Sequence, residues 1–276
     1  MTSVSFSGLT TQPLHSFNEA NSKDYIGNQT LCDVSSLKCY KCDETHVNFW
    51  INAKTLPSFP ANCSLVEAEN QFTGLIRWFT LPNGKESYVD YLDAFYPHFL
   101  PKDSSRFFVF VAIERELKTA SSRALVYSCT TDNCNNETNL RRALSSLTLK
   151  ENFAPLDVLF NNSTKKFTEQ SSCIEFSNST HIECPSSASP LSSCSTCLLL
   201  EIDAPSRELC ARCPKGSTKA GPEFVERRVF FFPGNKTRLG DQSILACRTK
   251  GCNALDNAEK IHQLSTIEFD FKEFFP

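Results

Sequence analysis

ALVYSCTTDNCNNETNLRRAL (residues 124–144) and SILACRTKGCNALDNAEKIHQ (residues 243–263) are two versions of one unit. Aligned on their cysteines, Cys129 falls on Cys247, Cys134 on Cys252 and Asn135 on Asn253. A strand-like apolar run precedes each block, Ala124–Tyr127 and Ile244–Ala246. A helical pattern follows each. Leu140, Leu144 and Leu147 recur at i, i+4 and i+7, while Leu255, Ala258, Ile261 and Leu264 recur at steps of three. A unit that recurs with its punctuation intact implies a chain built from two related parts.

Working outward, each half carries a long strand, a polar loop and a second strand before its closing cysteines. These are Arg106–Arg115 with Arg123–Thr130, and Glu223–Phe232 with Asp241–Thr249. The first half adds a candidate hairpin, Gly74–Leu81 and Glu86–Leu92, around Pro82-Asn83-Gly84-Lys85, because Asn-Gly tolerates the positive φ of a tight turn. A CxxC stands at the head of each unit, Cys39–Cys42 and Cys194–Cys197. The expected organisation is a polar N-terminal segment at 1–30, a cysteine-rich module at 31–150, a linker at 151–167 and a second cysteine-rich module at 168–276. Six cysteines fall in residues 1–150 (32, 39, 42, 63, 129, 134) and eight in 151–276 (173, 184, 194, 197, 210, 213, 247, 252), and both counts are even, as self-contained modules require. The expected class is mainly β, two disulfide-rich modules each followed by a short helix.

Fourteen cysteines in 276 residues point to an oxidising compartment. Seven Asn-x-Ser/Thr sequons, at Asn28, Asn62, Asn136, Asn161, Asn162, Asn178 and Asn235, point the same way and mark candidate glycosylation sites. Residues 1–25 lack the apolar run of a signal peptide, so the chain reads as a mature ectodomain fragment or as a sequence lacking its first exon. No stretch approaches the length of a transmembrane segment. A net charge of -3 gives no electrostatic reason to expect nucleic acid or an anionic membrane.

LKCYKC (37–42) opening a unit and CTTDNCN (129–135) closing it resemble the three-finger family of snake toxins, lymphocyte surface antigens and the urokinase receptor. The resemblance implies small β-rich domains with hairpin fingers radiating from a disulfide hub, used to recognise other proteins. It implies Cys129–Cys134, Cys247–Cys252, Cys194–Cys213 and Cys197–Cys210, with Cys42–Cys63 the nearest first-half equivalent, Cys32 left for Cys39, and Cys173 left for Cys184. The second closing block, CRTKGCN (247–253), lacks the Asp132 of the first, and the double cysteine that often precedes the family's closing motif is missing.

Two rival readings accompany this one. Cys194-x2-Cys197-x12-Cys210-x2-Cys213 has the spacing of a zinc site, which would suit an intracellular zinc protein. A secreted hydrolase or inhibitor is the other. No HExxH, no Gly-x-Ser-x-Gly and no phosphate-cradling loop occur, so no catalytic or cofactor-binding residue is assigned. Glu114 and Glu116 alternate on one face of a strand and read as a solvated face. The aromatic tail Ile267, Phe269, Phe271 reads as a last strand on its own module or as a docking segment. The expected function is binding of an extracellular or cell-surface protein, with Trp50 and Asn83 as candidate contacts because aromatic anchors dominate binding energy.

Overall fold

The computed structural model describes residues 37–68, 72–93, 108–116, 120–129, 131–160, 173–178, 196–203, 206–213, 223–232 and 236–275. The protein is mainly β. In the first half the strands are β1 (Leu37–Val47), β2 (Ser64–Ala68), β3 (Phe72–Leu81), β4 (Gly84–Asp93), β5 (Phe108–Glu116), β6 (Ala120–Cys129) and β7 (Leu147–Glu151), with helix α1 (Glu137–Ser146) before β7. A 3-10 helix, Ala154–Leu159, follows. The second half has β8 (Phe176–Ser177), β9 (Cys197–Asp203), β10 (Arg207–Arg212), β11 (Phe224–Phe232), β12 (Thr237–Cys247), α2 (Asp256–Gln263), β13 (Ser265–Phe269) and α3 (Phe271–Phe274).

Eleven of the described strands form one antiparallel sheet in the order β2-β1-β4-β3-β6-β5-β11-β12-β9-β10-β8. Read from the β5–β11 junction, the order is a palindrome. β5 answers β11, β6 answers β12, β3 answers β9, β4 answers β10 and β1 answers β8, with β2 extra at one edge. The junction is a local two-fold axis. Ala112 faces Ala124 on β6, five residues before Cys129, and Arg228 faces Gln242 on β12, five before Cys247; these matching positions lie opposite each other across the junction. A second, two-stranded sheet repeats the symmetry, with Leu149 of β7 opposite Ile267 of β13. Its flanking bonds match too: Asn152 N–H donates to Leu264 O (2.8 Å) and Asp270 N–H to Ser146 O (2.8 Å). The repeat seen in the sequence is therefore folded face to face across a seam.

The seam explains the chain's most apolar stretch. β5 is a central strand of the sheet and is buried on both sides, so FVFVAI reads as a continuous apolar run, not an alternation. Val109, Val111 and Ile113 join the main core beneath the helices, while Phe108, Phe110 and Ala112 join Ala124, Val126 and Phe230 in a smaller cluster on the opposite face. Phe110 and Phe230 meet across the seam with ring centroids 4.8 Å apart.

Four expectations are revised. Part of the expected linker at 151–167 belongs to the core: Phe153, Leu156 and Phe160 are buried in it. The helical pattern through Leu147 and Leu264 stops short, because each helix hands over at once to a strand of the second sheet. The strand of the aromatic tail pairs with the other half, not within its own module. Ile267 and Phe269 lie on β13, paired with β7 of the other half, and Phe269 packs against Phe231 (5.5 Å) and Phe274 (5.4 Å). In the β3–β4 hairpin Leu81 faces Gly84, so the two tip residues are Pro82-Asn83, one position before the Asn-Gly pair.

Candidate functional site

The closing motifs act as clamps. Asn135 Oδ1 accepts from Tyr40 N (3.0 Å) and its Nδ2 donates to Tyr40 O (2.7 Å), so one amide satisfies both backbone polar groups of Tyr40. Asn253 does the same to Ile174, accepting from its N–H at 2.8 Å and donating to its carbonyl at 2.9 Å. Each first helical turn adds an asparagine that donates to the preceding cysteine carbonyl, Asn139 to Cys134 (2.9 Å) and Asn257 to Cys252 (2.8 Å). The left-handed position of each closing loop is held by a residue that tolerates it, Asn133 at φ 56 and Gly251 at φ 65.

The clamps identify the opening cysteines. Tyr40 follows Cys39 and Ile174 follows Cys173, so Cys173, not Cys194, heads the second unit. Spacing carried a signal for this: Cys39 to Cys129 spans 90 residues and Cys173 to Cys247 spans 74, whereas Cys194 to Cys247 spans 53.

The structure joins Cys42 to Cys63, Cys129 to Cys134, Cys247 to Cys252 and Cys173 to Cys197. The last bond replaces the pairings Cys173–Cys184 and Cys197–Cys210 that the resemblance implied: Cys173, just ahead of β8, is stapled to the first residue of β9, which lies across from Cys247 on β12. On the first half's matching strand the position opposite Cys129 is Phe72, so this staple has no counterpart there. Cys210 and Cys213 are also disulfide-bonded. With Cys197, Cys210 and Cys213 all oxidised, the Cys194/Cys197/Cys210/Cys213 zinc reading loses three of its four thiolates. Cys32, Cys184 and Cys194 lie outside the described residues, as do sequons Asn28, Asn161, Asn162 and Asn235. Asn62 and Asn178 are exposed, whereas Asn136 caps α1, accepting from Asn139 N at 2.9 Å.

The candidate contacts Trp50 and Asn83 lie at one end of the first half. Asn83 is exposed at the β3–β4 tip. Trp50 is half-buried: its indole N–H donates to Phe79 O (3.0 Å), and Lys85 Nζ and the Arg123 guanidinium sit 4.2 and 4.3 Å from the ring centre. Its neighbour Phe49 is 46% exposed. The loop that carries Phe49 is pinned from several sides. Ser87 Oγ accepts from Ile51 N (3.1 Å) and donates to Phe49 O (2.7 Å), Trp78 Nε1 donates to Ile51 O (2.8 Å), and Arg141 donates to Ala53 O and Leu56 O. Beside it His46 stacks on Tyr88 (4.6 Å) and meets Glu86 at 2.7 Å. Trp50 is the aromatic anchor expected from the sequence; its neighbour Phe49 is the more exposed of the two rings.

No family model matches the chain, and no curated protein matches it.

A buried polar cluster lies under α2 and β13. Glu201 accepts from Ser243 Oγ (3.0 Å) and Arg207 Nε (2.5 Å) and contacts His262 Nε2 (2.8 Å). Asp241 receives both Arg227 Nε (3.0 Å) and Nη2 (2.7 Å), and Arg227 Nη1 donates to Ser265 O (2.8 Å). Serine, histidine and two carboxylates converge here, yet Ser243 gives its proton to Glu201, not to the imidazole that a serine nucleophile would need. The cluster ties β9, β11 and β12 to α2 and β13. Burial alone would raise the Glu201 carboxyl, but hydrogen bonds from His262, Arg207 and Ser243 outweigh it and hold it down at about 2. A depressed acid stabilises the fold above its ordinary 4.5 and loses that contribution as pH falls from there towards 2. Acid unfolding of the wild type should therefore steepen below pH 4.5, and Glu201→Gln should flatten that limb in a pH series of thermal midpoints.

Proposed function

We propose that this chain is an extracellular recognition protein of three-finger type, a receptor ectodomain or secreted ligand, which grips another extracellular or cell-surface protein through Phe49, Asn83 and Lys85. Three consecutive antiparallel hairpins, β1/β2, β3/β4 and β5/β6, lie side by side in the first half, the arrangement fingers require. Cys42–Cys63 closes the loop of the β1/β2 hairpin and Cys129–Cys134 the loop after β6, and no described helix is long and apolar enough to cross a membrane. The observation that carries the reading is the exposed Phe49 on a loop whose backbone is already fixed by hydrogen bonds. An aromatic anchor on a preordered loop loses little entropy on association.

Proximity labelling on intact cells of the source organism, followed by binding measurements on the protein identified, tests this. Phe49→Ala should weaken binding by roughly ten-fold or more, the scale of an interface anchor, and Val158→Ala, remote in sequence and 78% exposed, should leave it unchanged. Equal affinity for both variants would remove the surface from the proposal. A protein that captures no surface partner but turns over a substrate would overturn the function itself.

A further inference from the structure

We infer that Glu114 and Glu226 form a proton-holding carboxyl pair at the seam between the two halves, tightening the β5–β11 junction while the proton is held and loosening it once the proton leaves. The strand register places Glu114 directly opposite Glu226, two residues from the local two-fold axis. Glu226 is only 5% exposed and already takes both Arg228 Nε (2.6 Å) and Nη2 (2.7 Å). Glu116 lies two residues further along β5, opposite Phe224. From β6, Ser122 Oγ reaches Glu114 Oε2 at 3.5 Å, while Arg123 is committed to Glu151 (3.3 Å) and the Trp50 ring. From β12 come Gln242, opposite Arg228, and Ile244, opposite Glu226, neither of them charged. The nearby guanidinium of Arg228 is thus taken up by Glu226, and a directly opposed carboxyl pair with one member buried and the other partly buried ionises its second member at high cost.

The expected solvated face holds at the exposed Glu116 and is corrected at Glu114, which the β5–β11 register turns against the counterpart strand. Burial first, then Glu226 and Glu116, push the Glu114 carboxyl up to about 7. A raised acid contributes its stability fully below its ordinary 4.5 and loses it as pH rises through about 7. Among the described strands the main sheet joins the two halves only at this seam, so it is where the loss should be felt.

Hydrogen exchange of the β5 and β11 amides, corrected for intrinsic rates, tests the pair on the whole chain between pH 5.5 and 8.5. Wild type should lose protection there by roughly ten-fold or more, because each pH decade that the carboxyl crosses while still holding its proton changes the opening equilibrium about ten-fold. Glu114→Gln should hold protection constant, with Glu116→Gln following wild type. The same loss in wild type and Glu114→Gln would overturn the proposal. Carbon-13 titration of the wild-type carboxyls gives a reading that needs no variant: one glutamate titrating near neutrality is expected, and all of them titrating below pH 5 would overturn it.

Discussion

Replacing Arg227 with methionine is expected to destabilise the fold by about 3–5 kcal/mol, the usual result of stripping a buried charge of its partner. Arg227 and Asp241 are both buried, and the guanidinium grips both carboxylate oxygens. Methionine matches the length of the stem but leaves Asp241 with Arg238 (3.0 Å), which is largely exposed, and His262 at 3.8 Å. The third Arg227 nitrogen also anchors Ser265, the first residue of β13, so the second sheet loses a tether. Denaturant unfolding of Arg227→Met, Asp241→Leu and the double variant checks this. The double variant should recover part of the loss, because removing both charges removes the desolvation penalty. Additive losses would mean that the two side chains act independently.

Phe153→Ala should cost about 3–5 kcal/mol, the range for truncating a buried phenylalanine. Phe153 is 0% exposed and sits between β7 and the 3-10 helix. Val158, five residues on and 78% exposed, provides the contrast: Val158→Ala should change stability by less than about 0.5 kcal/mol. Equal, small effects at both positions would restore residues 151–160 to the status of a linker. The measurement also bears on cooperativity. A single unfolding transition that shifts as a whole in Phe153→Ala is expected of halves that share one core, whereas two transitions would mark independent halves.

Several features were readable in local sequence because local chemistry dictates them. Cysteines five apart, an asparagine after the second and a helical period after that produce the same closing loop twice, since the loop and the helix behind it are made from neighbouring residues. The strands of β3/β4, β5/β6 and β11/β12 followed from apolar runs separated by turn residues, whereas β1/β2 and β9/β10 did not. The disulfide staple Cys173–Cys197 was harder to read, because its choice depends on which strand lies beside which, and the CxxC at 194–197 offered a nearer and wrong head for the unit.

The amino-acid sequence by itself determined that the protein is mainly β and disulfide-bearing, and that one cysteine–asparagine block recurs, each time just before a short helix. Only the tertiary structure decided that the halves are joined. The β5–β11 seam, the β7–β13 sheet and the facing carboxylates Glu114 and Glu226 all depend on contacts between residues roughly a hundred or more positions apart. The physical reason is that an apolar run such as Phe108–Ile113 demands burial on two sides but does not name its neighbour. The neighbour is selected by strand register and by the two-fold match of one half to the other, which no local pattern encodes.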